Sequence, residues 1–300
     1  MFDLILIPLD GSEPAEAALA VAGLIPSRRV RLLTVEPDTT GPMLASAPEW
    51  EAWRTGRERE AQAVLQRAAE PLRRQGRSVG TAVEFGDPAD RIVDAAADAD
   101  ADLIVIGSHG RGGGGRVLFG SVADRVARHA AAPTLIVRGG ERPAAALPLT
   151  RLVVPLDGSP LAEGALPLAA ALADALGLPI HLVRVVDSDG RRAAVQAGIP
   201  AAMADARSQE AVRRHAEEYL AAEAQRLRNR DLAATSEVRT GPPAAELLDA
   251  IRPGDLVVLI THGRGGVKRW LLGSAAETLV RRAPAPVLLV RGVHLDRPRA

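Results

Sequence analysis

Short apolar runs alternate along this chain with longer segments whose apolar residues recur at helical spacing. Residues 4–8 form the first run, and residues 13–24 then carry apolar side chains three and four apart, the period of a helix with one buried face. Residues 30–35 predict a second strand. The Arg/Glu/Ala-rich segment 49–75 predicts a long amphipathic helix stopped at Gly76. Residues 79–84 read as a third strand, and Asp87 and Pro88 as the cap and first turn of the helix after it. Residues 103–106 are apolar at every position, as in a parallel strand covered on both faces. A glycine loop, a helix over 120–131 and a strand over 134–137 complete the series. Strands joined by helices imply right-handed crossovers and a doubly wound parallel sheet. Such sheets bind ligands at the carboxyl ends of strands where the winding reverses. Asp10, Val35, Glu36 and Gly107 stand at those ends.

The whole pattern occurs twice. Leu6-Ile7-Pro8-Leu9-Asp10-Gly11-Ser12 returns 147 residues on as Val153-Val154-Pro155-Leu156-Asp157-Gly158-Ser159. Ser108-His109-Gly110-Arg111-Gly112-Gly113 returns as Thr261-His262-Gly263-Arg264-Gly265-Gly266, and Gly120-Ser121 as Gly273-Ser274, both at an offset of 153. The closing Ala132-Pro133-Thr134-Leu135 matches Ala285-Pro286-Val287-Leu288. The period is too long for a solenoid, so each copy is a complete domain. The expected fold class is α/β, with two tandem doubly wound five-stranded parallel-sheet domains over residues 1–140 and 149–293. A Gly/Pro/Ala-rich linker separates them.

Composition narrows the function. Lys plus Arg and Asp plus Glu are 37 each, a net charge of zero that supplies no general attraction to nucleic acid or an acidic membrane surface. Three Trp, three Phe and one Tyr are too few and too scattered for a base-stacking platform. There is no cysteine, which excludes disulfides, thiolate metal sites and a cysteine nucleophile. No run reaches the roughly 20 apolar residues that span a bilayer, and the first residues lack the basic start and apolar core of a secretory signal. The expected location is the cytoplasm, with neither nucleic acid nor membrane as a partner.

The segment 107–121 carries the chemistry. A glycine loop between a buried strand and a helix lets backbone N–H groups approach an anion, and the helix start adds unpaired donors and partial positive charge. Ser121 adds a hydroxyl. Gly107-x-x-Gly110, nine residues, then Gly120-Ser121 resembles the G-x2-G-x9-G-[S/T] signature of ATP-binding universal stress proteins. The Pro8-x-Asp10-Gly11-Ser12 block is also typical of that family, and the resemblance covers both copies. It implies an adenine nucleotide alpha hydrolase-like sheet of strand order 3-2-1-4-5 with ATP across the ends of strands one, two and four; Mg2+ would enter with the nucleotide, offsetting phosphate charge. Carried over by position, Pro8 and Asp10 face the ribose or a metal ion, and backbone near Val35 meets the adenine edge. Gly107, Gly110, Arg111, Gly120 and Ser121 hold ribose and phosphates. In the second copy the matching positions are Pro155, Asp157, Val185, Gly263, Arg264, Gly273 and Ser274. Ile260 replaces Gly107 there, and a β-branched side chain at that point is expected to crowd a ligand and weaken binding.

Other readings of the same residues carry less. Gly110 to Gly115 also fits G-x-G-x-x-G, yet it follows the fourth strand, and the second copy has Lys268 at the last glycine. Neither copy has the Lys-Ser/Thr pair of a Walker loop. His109 and His262 are lone loop histidines, and Asp10 and Asp157 compete as helix caps with the serines that follow. The interleaved Arg and Glu of residues 51–74 read as a solvated, salt-bridged helix face. No nucleophile–base pair is apparent, so no enzyme is expected beyond slow ATP hydrolysis. The expected role is a nucleotide-dependent regulator in stress or dormancy; the alternatives are a slow Mg-dependent ATPase and a scaffold with a vestigial site. The family resemblance further implies pairing of the two copies through their last strands, and a homodimer is a further expected assembly.

Overall fold

The computed structural model divides the chain into two units, Met1–Leu147 and Pro148–Ala300. Residues 2–37, 47–108, 120–139, 148–186, 206–261 and 273–292 are described. The first unit runs β1 (Phe2–Pro8), α1 (Glu13–Leu24), β2 (Ser27–Glu36), α2 (Ala47–Arg74), β3 (Ser78–Phe85), α3 (Pro88–Asp98), β4 (Leu103–Ser108), α4 (Ser121–His129) and β5 (Thr134–Arg138). Its strands are all parallel in the order β3-β2-β1-β4-β5, so the winding reverses between β1 and β4. Right-handed crossovers then place α1 and α2 on one face and α3 and α4 on the other.

Burial follows the hydrophobic pattern. Ile5, Leu6 and Ile7 of β1 and Ile104 and Val105 of β4 are 0% exposed, each worth about 1.5–3 kcal/mol of transfer free energy. β3, at the edge, is buried at none of its positions. On α2 only the stripe Ala61, Leu65, Ala69 and Leu72 is buried against the sheet. Gly76 ends that helix at φ +81°, a conformation open to glycine without a Cβ penalty. Asp87 caps α3 by accepting from the N–H groups of Ala89 and Asp90 at 3.0 and 3.2 Å. Arg125 of α4 donates to Asp87 and Asp90, tying α4 to α3, and this hydrogen bonding holds the Asp87 carboxyl below its ordinary range.

The second unit repeats the plan with β6 (Arg151–Pro155), α5 (Pro160–Glu163), α6 (Leu166–Leu176), β7 (Ile180–Val186), α7 (Ala206–Arg228), β8 (Ala234–Thr240), α8 (Pro243–Ala250), β9 (Asp255–Thr261), α9 (Ser274–Arg282) and β10 (Val287–Arg291). Its parallel strands lie in the order β8-β7-β6-β9-β10. The doubly wound order expected from the sequence is present in both units. One departure matters below: where the first unit has the single helix α1, the second has two pieces, α5 and α6, interrupted at Gly164 and Ala165.

Candidate functional site: a cleft at the strand ends of the first unit

At the carboxyl ends of β1, β2 and β4 lies a cavity of about 470 Å³, within the range of small-ligand sites. Six of the residues expected to contact the nucleotide line it: Pro8, Asp10, Val35, Gly107, Gly120 and Ser121. They come from four separate stretches of chain, which the reversal between β1 and β4 brings to one rim.

Asp10 follows the end of β1. Its Oδ1 accepts from the N–H of Ser12 at 3.0 Å and from the Ser12 hydroxyl at 2.5 Å. Ser12, not Asp10, is the N-cap of α1, its Oγ accepting from Ala15 N–H at 3.4 Å. The exposed aspartate is therefore oriented by the turn, and its Oδ2 has no donor among the described residues. Thr34 closes the neighbouring wall by donating to the Leu9 carbonyl at 3.0 Å.

Gly107 has a packing reason as well as a place in the cavity. A Cβ built there would lie 2.3 Å from the Pro14 carbonyl oxygen and 2.7 Å from the Ala15 nitrogen. The first turn of α1 rests directly on the backbone of β4. Gly120 and Ser121 open α4, and α4 has no side-chain cap at its N-terminus. The N–H groups of its first turn, at Ser121, Val122 and Ala123, thus stand at the cavity without a capping side chain among the described residues, the arrangement in which helix starts receive anions.

Two further lining residues form a pair that spacing along the chain does not reveal. Glu36, the last residue of β2, is 8% exposed, and its Oε2 accepts from Arg57 of α2 at 2.8 Å. The bond and charge of Glu36 hold the Arg57 guanidinium above its ordinary value. One turn earlier, Arg54 lies 4.3 Å over the Phe85 ring. The α2 face expected to be solvated and salt-bridged keeps Arg54 and Arg57 exposed and carries the pairs Arg57–Glu60 and Arg73–Glu70, and it also sends these two arginines to the sheet end.

Gly110 and Arg111, and likewise His109, His262, Gly263 and Arg264, lie outside the described residues. In the second unit Pro155 ends β6, Asp157 accepts from Ser159 N–H at 2.8 Å, Val185 lies on β7, and Gly273 and Ser274 open the uncapped helix α9. Ile260 sits half-buried on β9, in the unit whose first helix is interrupted between α5 and α6. Among the described residues no group of three or more His, Asp or Glu side chains is placed to hold a metal ion, and no helix is long and apolar enough to cross a membrane.

A family model described as "Universal stress protein family" matches residues 1–138 and again 148–291. A universal stress protein of Mycobacterium tuberculosis is 26% identical over 96% of this chain and 96% of its own. One from Mycolicibacterium smegmatis is 30% identical over 72% of this chain and 70% of its own. The crystal structure of a universal stress protein from Archaeoglobus fulgidus, 21% identical, shares the fold at a TM-score of 0.68 over 96% of this chain and 98% of that one. With both halves matched by one family model and both folded as the same doubly wound sheet, the chain belongs to the universal stress protein family.

Proposed function

We propose that the first unit binds ATP and that the protein acts as a nucleotide-dependent regulator in stress or dormancy rather than as an enzyme. The observation that carries this is the 470 Å³ cleft, which gathers Asp10, Val35, Gly107, Gly120 and Ser121 at the strand ends where the winding reverses, the place where such sheets bind ligands. The uncapped start of α4 supplies backbone donors for phosphate oxygens. Asp10, on the adjacent strand, turns an unbonded carboxylate oxygen to ribose hydroxyls. The β2 end takes the base. Mg2+ arrives with the nucleotide as the counter-ion of its phosphates. The chemistry these groups offer is cradling: the Asp10 carboxylate is engaged by its own turn, and the uncapped amides donate without activating a nucleophile.

The test is to denature protein purified without added nucleotide and identify what it releases. ATP in the supernatant is the expected result. Release of nothing, together with no thermal shift on adding ATP, would overturn the reading in favour of a scaffold with a vestigial site. Steady conversion of ATP to ADP that disappears in Asp10→Ala and Gly120→Val would replace the binding role with a slow ATPase.

A further inference from the structure

The Glu36–Arg57 pair is not explained by the fold. The two units supply their own control, because the buried stripe of α2 (Ala61, Leu65, Ala69, Leu72) recurs on α7 as Ala216, Leu220, Ala224 and Leu227. In that register Arg57 corresponds to Val212. Glu36 corresponds to Val186, since Gly86 N–H donates to the Glu36 carbonyl and Gly241 N–H to that of Val186. The second unit therefore carries two valines at the positions where the first carries a carboxylate and a guanidinium. The Arg57 side chain stays 43% exposed while Glu36 is 8% exposed. It is thus the carboxylate that is withdrawn from water where a valine suffices, a placement that costs desolvation and is not needed for packing. Both members of the charged version line the first unit's cleft.

Its position selects what it reads. Across the sheet the site residues run from β2 (Val35, Glu36) through β1 (Asp10) to the start of α4 (Gly120, Ser121). The anionic end of a nucleotide goes to the uncapped helix, which leaves the base at β2. There Oε2 of Glu36 is taken by Arg57, while Oε1 has no donor among the described residues. Arg57, held also by Glu60 at 3.3 Å, fixes the carboxylate in place. An ionised carboxylate accepts and cannot donate.

We infer that Glu36, positioned by Arg57, is a base-selecting residue that accepts a hydrogen bond from the exocyclic amino group of a 6-aminopurine and turns away 6-oxopurines. With an oxo group at that position, two acceptors face each other without a proton, and a site built around a donor rejects such an analogue strongly. This rests on the nucleotide reading above, and its failure is separable from failure of that reading.

The experiment compares ATP with ITP, which differ at the 6-position, by calorimetric titration of the full-length protein and of Glu36→Gln, with melting temperature recorded for both. A glutamine can present either its oxygen or its NH2 to the base. The expected result is that the wild type prefers ATP by roughly tenfold or more, and that Glu36→Gln brings the two nucleotides to comparable affinity while still melting cooperatively. The double variant Glu36→Val/Arg57→Val, copying the second unit, also loses the preference and keeps the fold. ATP binding with no preference over ITP, or a preference unchanged in Glu36→Gln, overturns the inference and leaves the nucleotide reading standing. Binding of neither nucleotide by the wild type overturns both.

Discussion

Pro14 shows how closely a single residue sets the first unit. Its carbonyl oxygen would be 2.3 Å from a Cβ on Gly107, and its Cγ 2.6 Å from one on Gly139. The proline is wedged between the ends of two neighbouring strands, and backbone, unlike a flexible side-chain tip, cannot swing aside. Gly107→Ala is therefore expected to destabilise the protein by about 1–3 kcal/mol, the usual range for overpacking a close contact, read as a lower denaturation midpoint with an unchanged slope. An unchanged midpoint would show that α1 can lift from β4 without cost. In the second unit the residue matching Pro14 is Leu161, in the short helix α5, and β9 carries Ile260 at the Gly107 position. A second residue-scale case is Asp255, 1% exposed, which accepts from Arg151 Nε at 2.8 Å and from Arg252 N–H at 2.7 Å. Arg151→Ala strands that carboxylate, and a loss of about 3–5 kcal/mol is expected from urea unfolding. A loss no larger than that of an exposed pair would mean that water replaces the guanidinium.

Elements whose boundaries follow side-chain chemistry were readable from the chain; those set by backbone pairing or distant partners were not. Helix α1 begins and ends where its apolar spacing predicts, and Asp87 and Gly76 act as the cap and stop they resemble. Strand β2 runs from Ser27 to Glu36 although only 30–35 look like a strand, because Ser27 and Arg29 pair by backbone with Phe2 and Leu4. Hydropathy cannot report a ladder bond. The Glu36–Arg57 link was hidden for a related reason: its partners are 21 residues apart on different elements, and an arginine counted as solvated can lay its stem along the sheet and carry its head to a carboxylate. Strand pairing also makes a pH prediction. On β7 and β8 of the second unit, His181 packs between Thr235 and Glu237, its ring nitrogens 2.9 and 3.3 Å from their oxygens. Burial, aided by the charge of Arg151 and opposed by Glu237 and Asp255, lowers its pKa from the ordinary 6.5. The unfolded chain then binds a proton more readily than the folded one. His181 contributes its full stabilisation above about pH 6.5, and loses it as pH falls from there through the folded value. Melting temperature should drop more steeply between pH 7 and 5 in the wild type than in His181→Gln. Parallel profiles would mean that Glu237 compensates the protonated ring.

At the scale of the whole molecule, one domain plan occurs twice, and the second copy changes side chains at positions that line the first unit's cleft. In the first unit Gly11 has open space above it, with nothing within 4 Å of a would-be Cβ, and Thr34 forms the adjacent wall. In the second, Arg184 stands at the Thr34 position, and its guanidinium lies 3.0–3.2 Å from the same point over Gly158. It is backed by the Tyr219 ring at 5.1 Å, whose hydroxyl donates to Glu163 at 2.9 Å and is held by burial well above its ordinary pKa, so that it remains a donor. Glu36 and Arg57 have become valines in the same unit. Ile260 was the departure visible in the glycine motif, yet Arg184 is the side chain that fills the space over the Asp157 turn. Before a ribose can enter there, an ordered guanidinium must leave the face of the tyrosine ring and give up its cation–π attraction. Saturating ATP should therefore load about one nucleotide per chain, because the second site alone carries that displacement cost. Asp10→Ala or Thr34→Arg should remove that binding, Asp157→Ala should leave it intact, and Arg184→Thr should add measurable binding at the second unit. Two nucleotides per wild-type chain would show that Arg184 yields to the ligand, and the guanidinium would then be read as a partner of the nucleotide rather than a barrier against it.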